Sequence, residues 1–410
     1  MTARTVAEHR DLVAELLAPL ARRRSAETLP VSADAIAADP DRYRWRVLAQ
    51  ELTSPSDLPP FDNSQMDGYA VRAADLANAT AASPMRLRVA GQINAGDEGA
   101  ALAPGQVAAV MTGAPIPAGA DAVVPIERVD PPRFTPLADP VAEVSFREAA
   151  ASGSFVRRAG SDVRAGDTLL AAGTALGPAQ YGVIAGTGVR EIQVLRRTRV
   201  LVVPTGHEIR EPGSRLQPGQ IFDSNGTLLA AALAEVGSTV EVRPCRSDDA
   251  ADLLAIIEGS PEVDLLITAG GVSAGAREVV RDALEPLGVE FGGVAMQPGG
   301  PQGLGSILVS GRSEPLPVVS FPGNPVSALI SFELFVRPVL RALAGSARPD
   351  RPSVRAPLAA DVVSPAAKHQ IRRGRLDATG SVELVGGASS HLLHSYAASS
   401  ALVQIGRAHV

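Results

Sequence analysis

The stretch VDLLITAGGVSAG, residues 263–275, decides the fold. Its first half is a short apolar run of strand length, closed by a glycine pair. Strands buried on both faces read as unbroken apolar sequence in this way. Its second half, GGVSAG (270–275), is a small loop that feeds the helical pattern AREVVRDALEPLG (276–288). The same alternation runs outward in both directions. RVLVVP (199–204) reads as a buried strand, and GTLLAAALAEVG (226–237) as a helix with Asn225 as its N-cap. STVEVR (238–243) is a strand and DDAADLLAIIE (248–258) a helix with acids in its first turn. LPVVSF (316–321) is a strand, and PVSALISFELFVRPVL (325–340) a helix with Pro325 near its first position. Strands and helices in turn predict a doubly wound α/β unit, a parallel sheet with helices on both faces, over residues 193–342.

The flanks read differently. Residues 1–24 are helical and amphipathic. From about 31 to 195 short apolar runs are broken by Pro and Gly, as in LPPF, APIPAGADAVV and AGDTLLAAGTALG. That pattern predicts an elongated, β-rich N-terminal region, residues 1–192, with an inserted β subdomain. Residues 343–410 return to short β-like runs, a small C-terminal β unit. A chain of 410 residues is too long for one ordinary core.

Composition excludes several classes. Apolar content of 45% and charged content of 20% describe a soluble globular protein. No 18-residue window is uninterruptedly apolar, which argues against a membrane span. The N-terminus lacks the apolar core of a signal peptide, so the cytoplasm is the expected location. A single cysteine, Cys245, leaves no intrachain disulfide and no cysteine-based zinc cluster. A net charge of −6 argues against nucleic acid as a partner. The arginine groups at 22–24, 157–158, 196–197 and 372–375 read as solvated faces.

In a doubly wound sheet, ligands bind beyond the carboxyl ends of the strands. Three loops fall there: Thr205-Gly206-His207-Glu208, Gly270–Gly275 and Pro322–Ser327. All are small, glycine-bearing and placed to offer backbone N–H groups to an anion. Neither a P-loop nor a G-x-G-x-x-G fingerprint is present. One rival reading exists. Residues 271–275 form G-x-S-x-G between a strand and a helix, the context of a serine nucleophile elbow. Asp361 or Asp377 and then His391 or His394 follow in hydrolase order. Against it, no HGGG-like oxyanion segment precedes the serine, and the partners fall in a separate unit.

Seven collinear motifs point elsewhere. They are LPPFDNSQMDGYAVR (58–72), MTGAPIPAGADAVVPIE (111–127), VRRAGSDVRAGDTLLAAGTAL (156–176), VPTGHEI (203–209), GQIFDSNG (219–226), GGVSAG (270–275) and FPGNPVSALISFELFVRPVL (321–340). Together they resemble the molybdopterin molybdenumtransferase family, the MoeA-like molybdenum insertases that include the C-terminal part of gephyrin. The resemblance implies a transferase of molybdenum cofactor biosynthesis. Its substrates would be adenylylated molybdopterin and molybdate, its product AMP, and its helper Mg2+ or another divalent cation. It also implies an antiparallel homodimer, with the N-terminal region of one protomer completing a cleft on the α/β unit of the other.

The resemblance assigns residues as well. Asp67 would be a carboxylate projecting into that cleft, and Thr112 would face it. Asp62 and Asn63 would tie down the loop. Arg157 would contact an anion, with Asp162 beside it. Glu208, Asp248 and Glu278 would line the nucleotide side, and Asp67, Glu208 and Asp248 would hold the metal. Thr205, Gly206, Asp223, Ser224 and Asn225 would support the pterin pocket. So would Gly270, Gly271, Val272, Ser273 and Gly275 of one loop, Pro298 and Gly299 of another, and Pro322, Gly323, Asn324, Pro325 and Ser327 of a third. Arg373 and Ser390 match weaker positions in the C-terminal unit.

Four departures stand out. TGDE of the family is TGHE here, with His207 expected to make a local contact rather than to ligate. Glu278 takes the place of an aspartate. KPGKP becomes QPGGP (297–301), so Gln297 and Gly300 replace two lysines. Each lost charge-assisted contact is worth ~1.5–3 kcal/mol. Nearby arginines, Arg277 among them, are one source of replacement charge, and Gly300 is expected to need a positive φ. Last, the chain stops at LVQIGRAHV, where the family continues, so the C-terminal β-barrel-like unit reads as truncated, with an exposed edge. The alternative these departures raise is a catalytically weakened paralogue that binds molybdopterin or an insertase partner without efficient metal transfer.

Overall fold

The computed structural model describes residues 3–135, 142–273 and 278–405. Its centre is a six-stranded sheet. In spatial order the strands are Thr239–Val242, Arg199–Pro204, Leu265–Ala269, Leu316–Phe321, Pro301–Ile307 and Glu290–Gly293. The first four run parallel, as expected. The last two are antiparallel and turn the sheet mixed, which the sequence reading did not foresee. FGGVAMQPGGPQGLGSI (291–307) hides both strands, because glycine and proline mask the alternation. The glycines there have a packing reason. A Cβ on Gly303 would lie 2.6 Å from Cε1 of Phe291 and 2.8 Å from Cβ of Ser320.

Neighbouring residues of one strand point to opposite faces. Val200, Val202, Leu265, Ile267, Val319 and Phe321 bury on one side, against helices Ser224–Glu235 and Pro325–Ser331. Leu201, Val203, Leu266 and Val318 bury on the other, against Ala250–Glu258 and Val279–Leu284. Both faces are covered, so both must be apolar. The helix Val6–Leu17, fixed by a Thr5–Glu8 capping box, adds Val13 and Leu17 to the first of these cores, with Leu20 beyond it.

The N-terminal region is β-rich. A second six-stranded sheet spans Gly68–Val71 to Glu143–Phe146 and closes on Tyr69, Leu87, Val107 and Phe146. Asn63–Ser64 pairs with Val156–Arg157, which sets two of the motifs side by side. In the C-terminal unit His369–Leu376 is the central strand, flanked by Val382–Leu384 and Ala401–Ile405. It also pairs in parallel with Met296–Gln297, joining this unit to the α/β unit at the QPGGP loop. Among the described residues no helix is long and apolar enough to cross a membrane.

Two local expectations are corrected. The cap of helix Ser224–Glu235 is Asp223, whose carboxylate accepts from the Gly226 N–H at 2.9 Å. Asn225 already stands in the first turn and donates instead to the Gly323 carbonyl at 2.7 Å. Gly300 does not need a positive φ; Gly299 does, at 98°.

Substitutions at two glycines should therefore diverge. Gly271 has φ 64°, and a Cβ there would sit 2.9 Å from Cγ2 of Val280. Gly271→Ala is expected to destabilise by about 1–3 kcal/mol. Gly300→Ala meets nothing closer than 3.5 Å, and its cost should stay within about 0.5 kcal/mol. Urea unfolding of both variants checks the contrast, and equal losses would refute it.

Candidate functional site

Strand order reverses between Arg199–Pro204 and Leu265–Ala269, and the chain opens there. A cavity of about 1040 Å³ lies beyond their carboxyl ends. The three loops named from sequence form its floor. Thr205 N–H donates to the Ala269 carbonyl at 3.0 Å, and Gly270 N–H to the Phe321 carbonyl at 3.0 Å, so adjacent loops are stitched at their roots. Gly206 has φ 150°, and a Cβ there would strike the Glu208 carboxylate at 2.6 Å. Gly226 plays the same part beneath Asp223, whose Oδ2 would lie 2.5 Å from a Cβ.

Most of the residues expected at the pocket are on its wall. Thr205, Gly206, Glu208, Asp223, Ser224, Asn225 and Asp248 line one side. Gly270, Gly271, Val272, Ser273 and Glu278 line the floor, and Pro298 and Gly299 a further edge. Pro322, Gly323, Asn324, Pro325 and Ser327 complete the third loop, and Ser390 enters from the C-terminal unit. Asn324 Nδ2 donates to Ser390 Oγ at 2.8 Å and holds that unit to the cavity. Gly275 and Arg277 lie outside the described residues. Arg373 does not reach the wall. It is fully buried and donates through Nη2 to the Gly387 carbonyl behind the Ala388–His391 segment.

Charge is uneven across this wall. Glu208, Asp223, Asp248 and Glu278 are all on it. His207 stands between two of them, with Nδ1 3.8 Å from Glu208 Oε2 and 4.0 Å from Asp248 Oδ1. That is the local contact expected of it. Hard carboxylate oxygens of this kind suit Mg2+, which takes only one or two protein carboxylates and fills its shell from phosphate and water. Among the described residues no group of three His, Cys, Asp or Glu side chains is arranged to hold a metal by itself. Ile221 and Phe222, 53% and 45% exposed, give the same wall an apolar patch.

Asp67, Thr112, Arg157 and Asp162 are not on this wall. Each is exposed, on the N-terminal region. Asp67 Oδ1 accepts from the Thr112 N–H at 2.7 Å and from its hydroxyl at 2.8 Å. Those bonds, the backbone one first, hold the Asp67 carboxyl below the usual carboxylate range. Arg157 donates to Asn63 Oδ1 at 3.0 Å. Asp62 is a loop tie, as expected, accepting from the Ala159 N–H at 2.8 Å and from Arg158 at 2.6 Å. Within one chain, then, the metal set Asp67, Glu208 and Asp248 is divided between two surfaces.

The hydrolase constellation does not assemble. Ser273 and His391 both line the cavity, but the acids are elsewhere. Asp377 closes a turn, accepting from the N–H groups of Thr379 and Ser381. Asp361 lies on a second cavity with Arg372 and Glu383. The motif reading also missed a wall residue, Lys368. Its signature was compositional: it is the only lysine in the chain.

An α/β unit with a cavity at its switch point, joined to a β-rich arm and a small β unit, is the architecture that the comparisons match to molybdenum cofactor biosynthesis proteins. Residues 4–188 match the MoeA N-terminal region (domain I and II), and residues 201–342 match the probable molybdopterin binding domain. The chain is 43% identical over 412 residues to molybdopterin molybdenumtransferase 2 of Mycobacterium tuberculosis, covering 98% of this chain and 95% of the relative. It is 37% identical to the molybdopterin molybdenumtransferase of Synechococcus elongatus, over 82% of each. A crystal structure of the molybdopterin biosynthesis MoeA protein from Pyrococcus horikoshii superposes with a TM-score of 0.77 at 30% identity, covering 99% of this chain and 95% of that one. The chain belongs to the MoeA family of molybdopterin molybdenumtransferases.

Thr112→Val removes one of the two bonds to Asp67, so the Asp67 pKa should rise toward the ordinary carboxylate value without reaching it. The sign follows from a depressed folded-state pKa. Any stability the pair contributes is present above the unfolded carboxylate pKa and is lost as pH falls through the folded one. NMR titration of the carboxyl in both proteins measures this, and an unmoved pKa would remove the Thr112 hydroxyl as a cause and leave the backbone N–H alone.

Proposed function

We propose that this chain is a molybdopterin molybdenumtransferase of molybdenum cofactor biosynthesis. It takes adenylylated molybdopterin and molybdate, breaks the phosphoanhydride, releases AMP and leaves molybdenum on the dithiolene. The observation that carries the reading is the cavity itself: one wall gathers residues from four separated family motifs at the sheet's switch point. Ile221 and Phe222 offer apolar surface to a flat ring, and the loop N–H groups offer donors to phosphate. Glu208 and Asp248 would hold a divalent cation, with substrate oxygens completing its shell. When bound, that cation supplies Lewis-acid polarisation of the anhydride. Glu278 stands beside them on the floor.

The remaining set implies a homodimer. Asp67, Thr112, Arg157 and Asp162 are exposed on the N-terminal region and away from the cavity wall of their own chain, and they suit the cavity of a second copy. There Asp67, already ionised by Thr112, would complete the metal set, and Arg157 would offer its guanidinium to an oxyanion. The division into 1–192, 193–342 and 343–410 then has a functional sense: arm, pocket and the unit that closes one edge of the cavity wall through Ser390. We place the reaction in the cytoplasm, where a chain whose one cysteine is the buried thiol Cys245 needs no oxidising compartment.

Purified protein given adenylylated molybdopterin, Mg2+ and molybdate should release AMP. Asp67→Ala and Glu208→Ala should each abolish release while leaving the fold intact. Mixing the two inactive variants by refolding or coexpression should restore about a quarter of wild-type activity, since half the dimers then hold one complete site. No recovery, or a stable monomer in sedimentation at micromolar concentration, would sink the shared site. Absence of AMP release from the wild type would sink the enzyme reading altogether.

A further inference from the structure

Trp45 is the only tryptophan in the chain, and its backbone is strained. Its φ is 55°, in the left-handed region that residues other than glycine enter only under constraint. It stands at the root of the N-terminal region, between the helical turn Pro40–Tyr43 and the strand Arg46–Val47. The constraint comes from the α/β unit. The Arg341 guanidinium lies over the Trp45 ring, 3.7 Å from its centroid. A Cβ on Gly237 would lie 2.8 Å from the Trp45 Cβ, so the facing turn has to be bare to admit the indole.

Arg341 is left to the indole because the neighbouring acids are engaged. Glu235 pairs with Arg351 at 2.9 Å, and Glu333 pairs with Arg351 at 2.8 Å and with Arg337 at 3.5 Å. Nη1 of Arg341 is buried and has no hydrogen-bond partner among the described residues. A guanidinium with a dry, unpaired edge gains most from an aromatic face. Two further contacts close the joint. Arg197 donates to the Arg44 carbonyl at 3.0 Å, and a Cβ on Gly345 would lie 2.8 Å from Cγ2 of Val47.

From this root runs a lever. Arg46–Val47 pairs with Ala175–Leu176, Leu52–Thr53 with Thr168–Leu170, and Asn63–Ser64 with Val156–Arg157, all antiparallel. Leu58 bridges Val163 between the last two pairings. Two lengths of chain are thus zipped together from Trp45 at one end to Arg157 at the other, with Asp67 just past Ser64. A small rotation at the root is magnified at that tip.

We propose that Trp45, stacked on Arg341, is a positioning residue that locks the N-terminal region to the α/β unit at the angle presenting Asp67 and Arg157 to a second copy of the chain. The use of that angle rests on the proposed shared site; the lock does not.

A distance and a rate test the two parts separately. Arg164→Cys, near the tip of the lever, and Glu258→Cys, on the α/β unit, place spin labels at two exposed positions, while Cys245 is buried. Labelled chains diluted with unlabelled ones give the distance within one chain. Arg341→Met and Trp45→Gly should each broaden that distance, and Arg341→Lys, which keeps a cation on the ring, should narrow it again. In the unlabelled protein, Arg341→Met should also red-shift the emission of the lone indole and raise its quenching by acrylamide. Its kcat for AMP release should fall about tenfold with KM unchanged, since displacing a reacting group costs rate while the cavity wall is untouched. Arg341→Lys should restore most of the rate. A distance unchanged in both Arg341→Met and Trp45→Gly would overturn the lock. A broadened distance with kcat undiminished would overturn the positioning role. Wild-type protein that releases no AMP would sink the insertase reading instead, and the distance would still decide the lock.

Discussion

The missing side chain of Gly270 is the constraint on which the site depends. A Cβ there would lie 2.7 Å from Thr205 Oγ1 and 2.8 Å from the Thr205 carbonyl oxygen. Its φ of 107° is one that other residues adopt only under strain. Its N–H bonds the Phe321 carbonyl, and a Cβ on Gly323 would lie only 3.3 Å from the Gly270 Cα. Three crossover loops thus converge on one residue. Their close approach turns the sheet's reversal of strand order into a single walled cavity rather than three separate turns. Backbone contact of this kind tolerates no side chain, which is why the floor is made of glycine, serine and proline while specificity sits on the rim.

The rim separates charge. Acids stand on the loops after three neighbouring strands, at Glu208, Asp248 and Glu278, and the lysine stands where the C-terminal strand meets the QPGGP loop. A dianionic phosphate approaching the acid side alone would be repelled, since two unit charges 4 Å apart interact by about 4 kcal/mol at an effective dielectric of 20. On the proposed reading, a divalent cation bound there would offset that repulsion.

Sequence made the parallel core legible because a strand covered on both faces must be apolar throughout, as Leu201 and Val202 show by burying in opposite cores. It made the cavity loops legible because they follow those strands directly. Elements stabilised by distant partners were not legible. Glu290–Gly293 and Pro301–Ile307 exist through pairing with each other and with Leu316–Phe321, and glycine spacing, not alternation, marks them. The cap was misplaced by two residues because Asp223 and Asn225 are both good caps in isolation. Tertiary context decided, through the demand of the Gly323 carbonyl for a donor. Lys368 was visible as a residue but not as part of the cavity wall, since its place depends on a pairing across 73 positions, Gln297 to Gln370.

Asp67 raises a further physical point. In one chain it is an exposed carboxylate held by an exposed threonine, and water screens any field it makes. A carboxylate in that setting contributes little to a reaction, because preorganised charge is powerful only where solvent is excluded. Yet its two hydrogen bonds from Thr112 fix both its charge and its direction, an arrangement that serves no packing purpose beside Tyr69 and its buried neighbours. The acid wall of the cavity is likewise open on one side. Each surface has what the other lacks: a fixed carboxylate and a guanidinium on one, a concave pocket and a second pair of carboxylates on the other. Apposing them would raise the effective strength of every charge involved without moving a residue, which is the physical argument for a site completed by a second copy of the chain.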